Sequence, residues 1–191
     1  MLIKGLVIIT GPSGSGKSTL EKNLEYLDRD YYEREISATT RPRRKHEKNG
    51  VHYHFMKPEK FLDTKFVEYE KFLDHYYGIP ASELTKTRRV LLACVESKGA
   101  QSLVNYINAN NLPIAMVVIK LMIPPEIRQR NMYLRGDSKD KVDERLNRDT
   151  IYEELKTAQF TNAKILEFTE LIPSLHLKVH REIKEYIGEL E

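Results

Sequence analysis

Short apolar runs alternate along this chain with segments whose apolar residues recur at helical spacing. The runs at residues 6–9, 90–95 and 114–122 predict buried strands. Leu175, Val179, Ile183 and Ile187 recur every four residues and predict a last amphipathic helix. Strands that alternate with helices indicate parallel βαβ units, in which ligands bind at the carboxyl ends of the strands. The predicted fold class is therefore α/β.

A different rhythm occupies residues 37 to about 88. Residues 51–55 and 66–72 alternate between apolar and polar side chains, as half-buried strands do. Pro58 can open a short helix between them, since proline suits the first helical position. We expect a small strand-rich insertion here, after which the α/β rhythm resumes.

Composition narrows the class of protein. The chain has 191 residues, a hydrophobic fraction of 40% and a net charge of +3, as in an ordinary globular protein with room for one substantial core. The charge is too small to indicate nucleic acid by itself. One cysteine permits no internal disulfide, and no apolar run approaches the length of a membrane span. With no room for a signal peptide before the first strand, the expected location is cytoplasmic.

The clearest motif follows the first predicted strand and precedes a predicted helix. That context makes the pattern G-x-x-x-x-G-K-[ST] a phosphate-binding loop, where backbone N–H groups and the helix N-terminus face an anion. Lys17 would reach the β- and γ-phosphates, and the Ser18 hydroxyl would bind Mg²⁺. The predicted ATP-binding residues are Gly11, Pro12, Ser13, Gly14, Ser15, Gly16, Lys17, Ser18 and Thr19. A plain Gly/Ser turn is the alternative.

A run of clustered arginines follows this loop by about two dozen residues, within the range 39–50. Such a charge run is often only a solvated loop. The planar arginine fork, however, binds phosphate in a bidentate manner. We therefore interpret residues 41–44 as a second phosphate site.

Taken in their order along the chain, these motifs resemble those of the guanylate kinase family, and the resemblance extends over nearly the full length. The agreement covers residues 11–19, 37–44, 47–55, 67–69, 76–78, 96–100, 124–125 and 135–136. The loop alone marks many unrelated folds. The arginine-rich segment and Tyr76-Tyr77-Gly78 at these intervals are far more specific.

The resemblance implies a single domain over residues 1–191, built around a P-loop NTPase parallel sheet with flanking helices. Its core would comprise residues 1–36, 89–134 and 150–191, its NMP-binding insertion residues 37–88, and its helical lid residues 135–149. Arg41, Arg44, Tyr53 and Tyr77 would hold the acceptor monophosphate. Glu68 would accept from guanine N1–H and N2–H₂, Ser37 would lie near the guanine edge, and Glu96 would stand near the metal and phosphates. The implied catalytic residues are Lys17, Arg41, Arg135, Arg145 and Arg148.

Three positions depart from the family pattern. Ile79 occupies a GMP-binding position that usually carries Ser or Thr, whose hydroxyl helps to read the base. Cys94 stands two residues before Glu96, where the family often has a further carboxylate. The segment 166–168 does not supply the asparagine usually found near adenine. None of these positions belongs to the machinery of phosphate transfer.

The predicted function is phosphorylation of GMP, with dGMP as a further acceptor, by ATP and Mg²⁺ through direct in-line transfer. A kinase of another phosphorylated acceptor, such as a sugar phosphate, is an alternative, against which Glu68 stands. A catalytically silent interaction module is another, against which the intact loop stands. Nucleic-acid binding through residues 41–48 is a third. The expected partners are ATP and GMP, without nucleic acid or membrane, for a monomer or a homodimer.

Overall fold

The computed structural model describes residues 2–72, 74–147 and 151–188. In these residues the strands are β1 Gly5–Thr10, β2 Tyr32–Arg34, β3 Ala38–Thr39, β4 His54–Phe55, β5 Phe66–Phe72, β6 His75–Pro80, β7 Val90–Cys94, β8 Ala115–Leu121 and β9 Ala163–Phe168. The helices are α1 Lys17–Leu27, α2 Pro58–Leu62, α3 Ser97–Ala109, α4 Pro125–Leu134, α5 Lys139–Asn147, α6 Ile151–Thr157 and α7 Leu175–Gly188.

A five-stranded parallel sheet in the order β2-β7-β1-β8-β9 forms the centre of the molecule. Alternate residues of β1 point to opposite faces, so Leu6 and Ile8 belong to one hydrophobic cluster and Val7 and Ile9 to the other. Helices α3 and α6 cover the first face, and α1 and α7 cover the second. This arrangement confirms the predicted α/β class and places the carboxyl ends of β1 and β7 side by side.

A second sheet has four strands in the order β4-β3-β6-β5 and lies within the predicted insertion. Its pairs are antiparallel except for β3 with β4. The predicted strand over residues 51–55 is reduced to β4, because the preceding residues form a turn with a bridge between Asn49 and Tyr53. Strand β2 has three residues and ends at Arg34.

The two sheets are joined at residues 35–37. The Glu35 N–H donates to the Leu92 carbonyl oxygen of the parallel sheet at 2.9 Å, and the Ser37 carbonyl oxygen accepts from the His54 N–H of the second sheet at 2.8 Å. Only Ile36 separates these two anchor residues. Among the described residues, none of the helices has the length and apolar character needed to cross a bilayer.

Candidate active site

The phosphate-binding loop joins the carboxyl end of β1 to the start of α1. Gly14 and Gly16 have φ angles of +80° and +91°, a left-handed conformation that glycine adopts without steric cost. A Cβ on Gly14 would stand 2.5 Å from the carbonyl oxygen of Arg128 in α4, so the loop packs closely against that helix. Asn131 of α4 donates from Nδ2 to the Gly14 carbonyl oxygen at 2.8 Å. Helix α4 therefore braces the loop.

Lys17 is the first residue of α1, and its ammonium group turns back onto the loop. Nζ donates to the carbonyl oxygens of Gly11 and, at 3.2 Å, of Pro12. Gly16 provides no side-chain cap, so the N-terminus of α1 keeps its preference for an anion. Ser18 and Thr19 are exposed at the same helix end. Of the predicted ATP-binding residues, Ser13 to Thr19 line one cavity, whereas Gly11 and Pro12 are buried.

A cavity of about 840 Å³ opens beside this loop. Its size is that of a pocket for a nucleotide-sized ligand. Besides residues of the loop and of α1, it is lined by Asn131, Leu134, Arg135, Leu171, Ile172, Pro173, Leu175 and His176. The lining combines ammonium, guanidinium and hydroxyl groups with an apolar wall, which suits a ligand that is anionic at one end and flat and apolar at the other.

The arginine-rich segment is organised by a carboxylate of its own. Arg41 donates to both carboxylate oxygens of Glu47, from Nη2 at 2.7 Å and from Nη1 at 3.0 Å. These bonds raise the pKa of Arg41 and hold the pKa of Glu47 at about 2. The backbone N–H of Arg44 donates to the same carboxylate at 2.7 Å. Arg44 itself is exposed, so its guanidinium lies toward solvent.

Aromatic rings complete this surface. The Arg41 guanidinium lies 5.6 Å from the ring centres of both Tyr53 and Phe55, within the range of cation–π attraction. Tyr53 and Tyr77 meet edge to face at 6.1 Å. Strand pairing places Tyr77 opposite Thr39. The structure therefore brings Arg41, Tyr53 and Tyr77 together, next to Glu47.

Glu68 and Ile79 face one another across β5 and β6. Burial, and then repulsion from Glu70, raises the pKa of Glu68 to about 7. Its Oε2 would be 3.6 Å from a Cβ on Gly99, so the carboxyl lies at the start of α3, beside β7. Ile79 is 1% exposed and packs in the hydrophobic core. At that position the side chain closes the core and brings no polar group to Glu68.

The arginines of the predicted lid meet at one aspartate. Arg135 and Arg145 both donate to Asp137 Oδ2, Arg145 at 3.4 Å, and the pKa of Asp137 is lowered chiefly by its hydrogen bond to Arg135. Arg135 also lines the large cavity, which places one of the two guanidinium groups beside the phosphate-binding loop. Arg148 lies outside the described residues.

The carboxyl end of β7 carries Cys94 and, two residues later, the exposed Glu96. Burial, and then the nearby Glu21 carboxylate, raises the pKa of the Cys94 thiol. Ser37 lies at the junction of the two sheets, where its hydroxyl meets the Glu35 carboxyl at 2.8 Å. Glu96 and Ser37 therefore stand at the end of the sheet to which the loop also belongs.

Mg²⁺ fits this site as a substrate-borne ion. Among the described residues there is no cluster of three or more His, Cys, Asp and Glu side chains that could hold a metal. Mg²⁺ in phosphoryl-transfer sites is commonly held by one or two protein oxygens, substrate phosphates and water. The exposed Ser18 hydroxyl at the N-terminus of α1 and the Glu96 carboxylate supply oxygen ligands of that kind.

Four residues of this region have no role in the reasoning from sequence. Asn131 and Arg128 are two of them, although Asn131 Nδ2 donates to the Gly14 carbonyl oxygen and the Arg128 backbone lies against Gly14. Glu47 belongs to a motif that was noticed without being given a role, and its place three residues after Arg44 was the available signal. Glu35 was indistinguishable from the other acidic residues of a charged stretch.

Together, the parallel sheet and the loop with its lysine define a P-loop nucleotide-binding fold. The family model described as guanylate kinase matches residues 4–173. The chain belongs to the guanylate kinase family.

Individual relatives agree. The chain is 33% identical over 166 residues to a guanylate kinase of Prochlorococcus marinus, with 83% of this chain and 86% of the relative covered. It is 34% identical over 182 residues to a guanylate kinase of Porphyromonas gingivalis, with coverages of 87% and 93%. The crystal structure of guanylate kinase from Anaplasma phagocytophilum is similar in fold, with a TM-score of 0.58 at 17% identity, covering 99% of this chain and 87% of that one.

Proposed function

We propose that this chain transfers the γ-phosphoryl group of ATP to GMP, and also to dGMP. The observation that carries the proposal is the meeting of two sites at one end of the parallel sheet. The loop at the end of β1 provides a triphosphate site, and the surface of Arg41, Tyr53 and Tyr77 provides an anion site in the adjoining sheet. Glu68 lies beside α3, the helix that follows β7.

The donor occupies the loop and the cavity beside it. Backbone N–H groups and Lys17 hold the phosphates, and Lys17 exchanges its present carbonyl partners for phosphate oxygens. Mg²⁺, when bound, neutralises charge on the phosphate oxygens, and Ser18 would hold it, with Glu96 acting through water. Arg135 and Arg145 would close over the transferring group and exclude water, while Arg148 is assigned to the same role from the resemblance alone.

The acceptor phosphate is already an anionic nucleophile, so the reaction needs no general base. Catalysis consists of positioning and of neutralising charge on the transferring group. Arg41, Arg44, Tyr53 and Tyr77 would hold the acceptor phosphate in line. Glu68, in its ionised form, would accept from guanine N1–H and N2–H₂, which adenine cannot offer together.

We assign residues 1–36, 89–134 and 150–191 to the core, residues 37–88 to an acceptor-binding insertion and residues 135–149 to a lid. We place the protein in the cytoplasm, in purine nucleotide metabolism, acting on small molecules as a monomer or homodimer. The single cysteine supports a reducing compartment. A sugar-phosphate acceptor remains without support, because Glu68 would have no pair of N–H donors to bind.

The test is a coupled assay of ADP release with ATP, Mg²⁺ and a panel of nucleoside monophosphates and sugar phosphates. We expect GMP to be the best acceptor, dGMP to be used, and AMP to be rejected. Preference for AMP or for a sugar phosphate would contradict the assignment of Glu68. Absence of turnover with every acceptor would contradict the proposed reaction.

A further inference from the structure

Glu35 has an unusual position for an acidic side chain. Its backbone N–H is fixed to Leu92 of the parallel sheet, and two residues later the chain is already in the second sheet. Its carboxyl Oε1 lies 2.8 Å from the Ser37 hydroxyl. Its other oxygen, Oε2, is buried and has no hydrogen-bond partner among the described residues. A carboxylate with one bare buried oxygen is costly, because that oxygen has lost its water.

The surroundings of Glu35 disfavour a negative charge. Glu83 stands nearby and is fully engaged, accepting from the Ile36 N–H at 2.7 Å and pairing with Lys86 at 2.7 Å. Lys86 is therefore already committed to Glu83. On the other side Glu21 of α1 pairs with Arg34 at 3.5 Å.

Burial, opposed by the Ser37 bond and reinforced by Glu83 and Glu21, raises the pKa of Glu35 to about 8. Lys86 lowers this pKa by a smaller amount. His54, which lies 3.5 Å from Glu83, and the thiol of Cys94 and phenol of Tyr53 complete the titratable groups that face this cluster. The attraction of Lys86 is too weak to offset the effect of burial, so the neutral acid of Glu35 dominates near pH 7.

We infer that Glu35 is a specificity-determining residue for the acceptor base, which acts by setting the direction of the Ser37 hydroxyl bond. As a neutral acid, Glu35 donates a hydrogen bond from its carboxyl O–H to Ser37 Oγ. The Ser37 O–H is then free to donate to a carbonyl oxygen such as guanine O6. As a carboxylate, Glu35 can only accept a hydrogen bond. The Ser37 O–H then donates to Glu35, and Ser37 presents only lone pairs to the base.

This role supplies a hydrogen-bond donor for guanine O6, which neither Glu68 nor Ile79 can provide. Glu68 can satisfy two guanine donors, but guanine O6 requires a donor, and the side chain at Ile79 has none. An adenine amino group, by contrast, would be favoured by a Ser37 that can only accept. The inference rests on the proposed function and on the place of Ser37 beside the base.

Two variants separate the hydrogen bond from packing. Glu35→Gln carries a permanent N–H donor toward Ser37 and cannot ionise. Glu35→Met has a similar size and neither donates nor ionises. The measurement is kcat/KM for GMP and for AMP between pH 6 and pH 9.5 in wild type and both variants, with KM for ATP and the thermal unfolding midpoint as checks.

In wild type we expect kcat/KM for GMP to fall as the pH passes about 8. Glu35→Gln should retain GMP use within a few-fold at pH 7 and show less of this alkaline fall. Glu35→Met leaves the Ser37 O–H without an orienting partner at residue 35, so we expect a loss of a few-fold at pH 7; because methionine cannot ionise, this variant should also lack the Glu35-dependent alkaline fall. Ionisation of guanine N1–H affects all three proteins alike, so the difference between wild type and Glu35→Gln is the quantity to compare.

An alkaline fall of equal size in wild type and Glu35→Gln would overturn the inference and leave the proposed function intact. So would an alkaline fall of wild-type size in Glu35→Met. Wild type that does not use GMP at any pH would instead overturn the proposed function. If a variant does not fold, Ser37→Ala serves in its place: removal of the relayed hydroxyl should abolish the Glu35-dependent alkaline fall, and its persistence would contradict the relay.

Discussion

Glu47 is the anion that Arg41 binds when no other anion is present. The bidentate geometry is that of an arginine on a phosphate, with both carboxylate oxygens engaged. The Arg44 N–H donates to the same carboxylate, so Glu47 links the Arg41 side chain to the backbone at residue 44. It thereby keeps Arg41 oriented between Tyr53 and Phe55 before a ligand arrives.

We expect Arg41→Ala to raise KM for GMP far more than KM for ATP. The loss of one charge-assisted contact is worth about 1.5–3 kcal/mol, which corresponds to roughly one to two orders of magnitude in KM. Glu47→Gln should raise KM for GMP by a smaller factor, because Arg41 stays but loses its orientation. Steady-state kinetics with each substrate varied in turn provide the measurement.

Arg43→Ala is the matched control, since Arg43 is exposed and donates to the Glu47 carbonyl oxygen at 2.6 Å rather than to its carboxylate. We expect it to leave KM for GMP nearly unchanged. An equal rise at positions 41 and 43 would indicate a general effect of surface charge and contradict a specific site at Arg41.

Glu68 should control the acid side of the pH profile. Its pKa is raised to about 7, and it must be ionised to accept from guanine, so kcat/KM for GMP should fall as the pH drops below about 7. Glu70→Gln removes the repulsion that contributes to the high pKa and should move this fall to lower pH. Glu68→Gln should lower GMP efficiency throughout and remove the fall. An unshifted profile in Glu70→Gln would show that Glu70 does not act on Glu68.

At the scale of elements, the strands and helices of the core were accessible from sequence because burial on both faces leaves long apolar runs. The runs at 90–95 and 114–122 appear as β7 and β8, and the stripe from Leu175 to Ile187 appears as α7. The residue contacts of the site were less accessible. Glu33 pairs with Lys86 whereas the Glu35 carboxyl meets Ser37, and no local pattern in the sequence distinguishes these two glutamates.

The loop gives a sharp test of packing at an element boundary. We expect Gly14→Ala to raise KM for ATP strongly, because its Cβ would stand 2.5 Å from the Arg128 carbonyl oxygen and its φ is +80°. Gly50→Ala is the control, with φ of +72° and nothing within 4 Å of a Cβ. It should cost only the backbone strain, about 1 kcal/mol. Similar KM values for ATP in both variants would contradict the close packing of the loop on α4.

At the scale of the molecule, the raised pKa values of Glu35 and Glu68 make stability depend on pH. These pKa values are about 8 and about 7 in the folded protein, against an ordinary glutamate value of 4.5. The folded state therefore binds more protons than the unfolded state between these limits. Their contribution is fully present below about pH 4.5 and is lost as the pH rises through about 8.

We expect the free energy of unfolding, measured by urea titration, to decline from pH 6 to pH 9 through these groups. Glu35→Gln should flatten the decline, because an amide has no proton to lose, and its stability relative to wild type should grow with pH. A stability difference between Glu35→Gln and wild type that is constant from pH 6 to pH 9 would contradict the raised pKa of Glu35.

The sole cysteine also gives the molecule a single site for labelling on sulfur. Cys94 is the last residue of β7 and is partly exposed. Lys17 of the loop and the cluster around Glu35 both affect the pKa of its thiol. Because its pKa is raised, alkylation should be slow at neutral pH and should accelerate only in strongly alkaline solution. One label on sulfur per chain is the maximum, so intact-mass spectrometry of alkylated protein reads directly the fraction of molecules in which Cys94 has reacted.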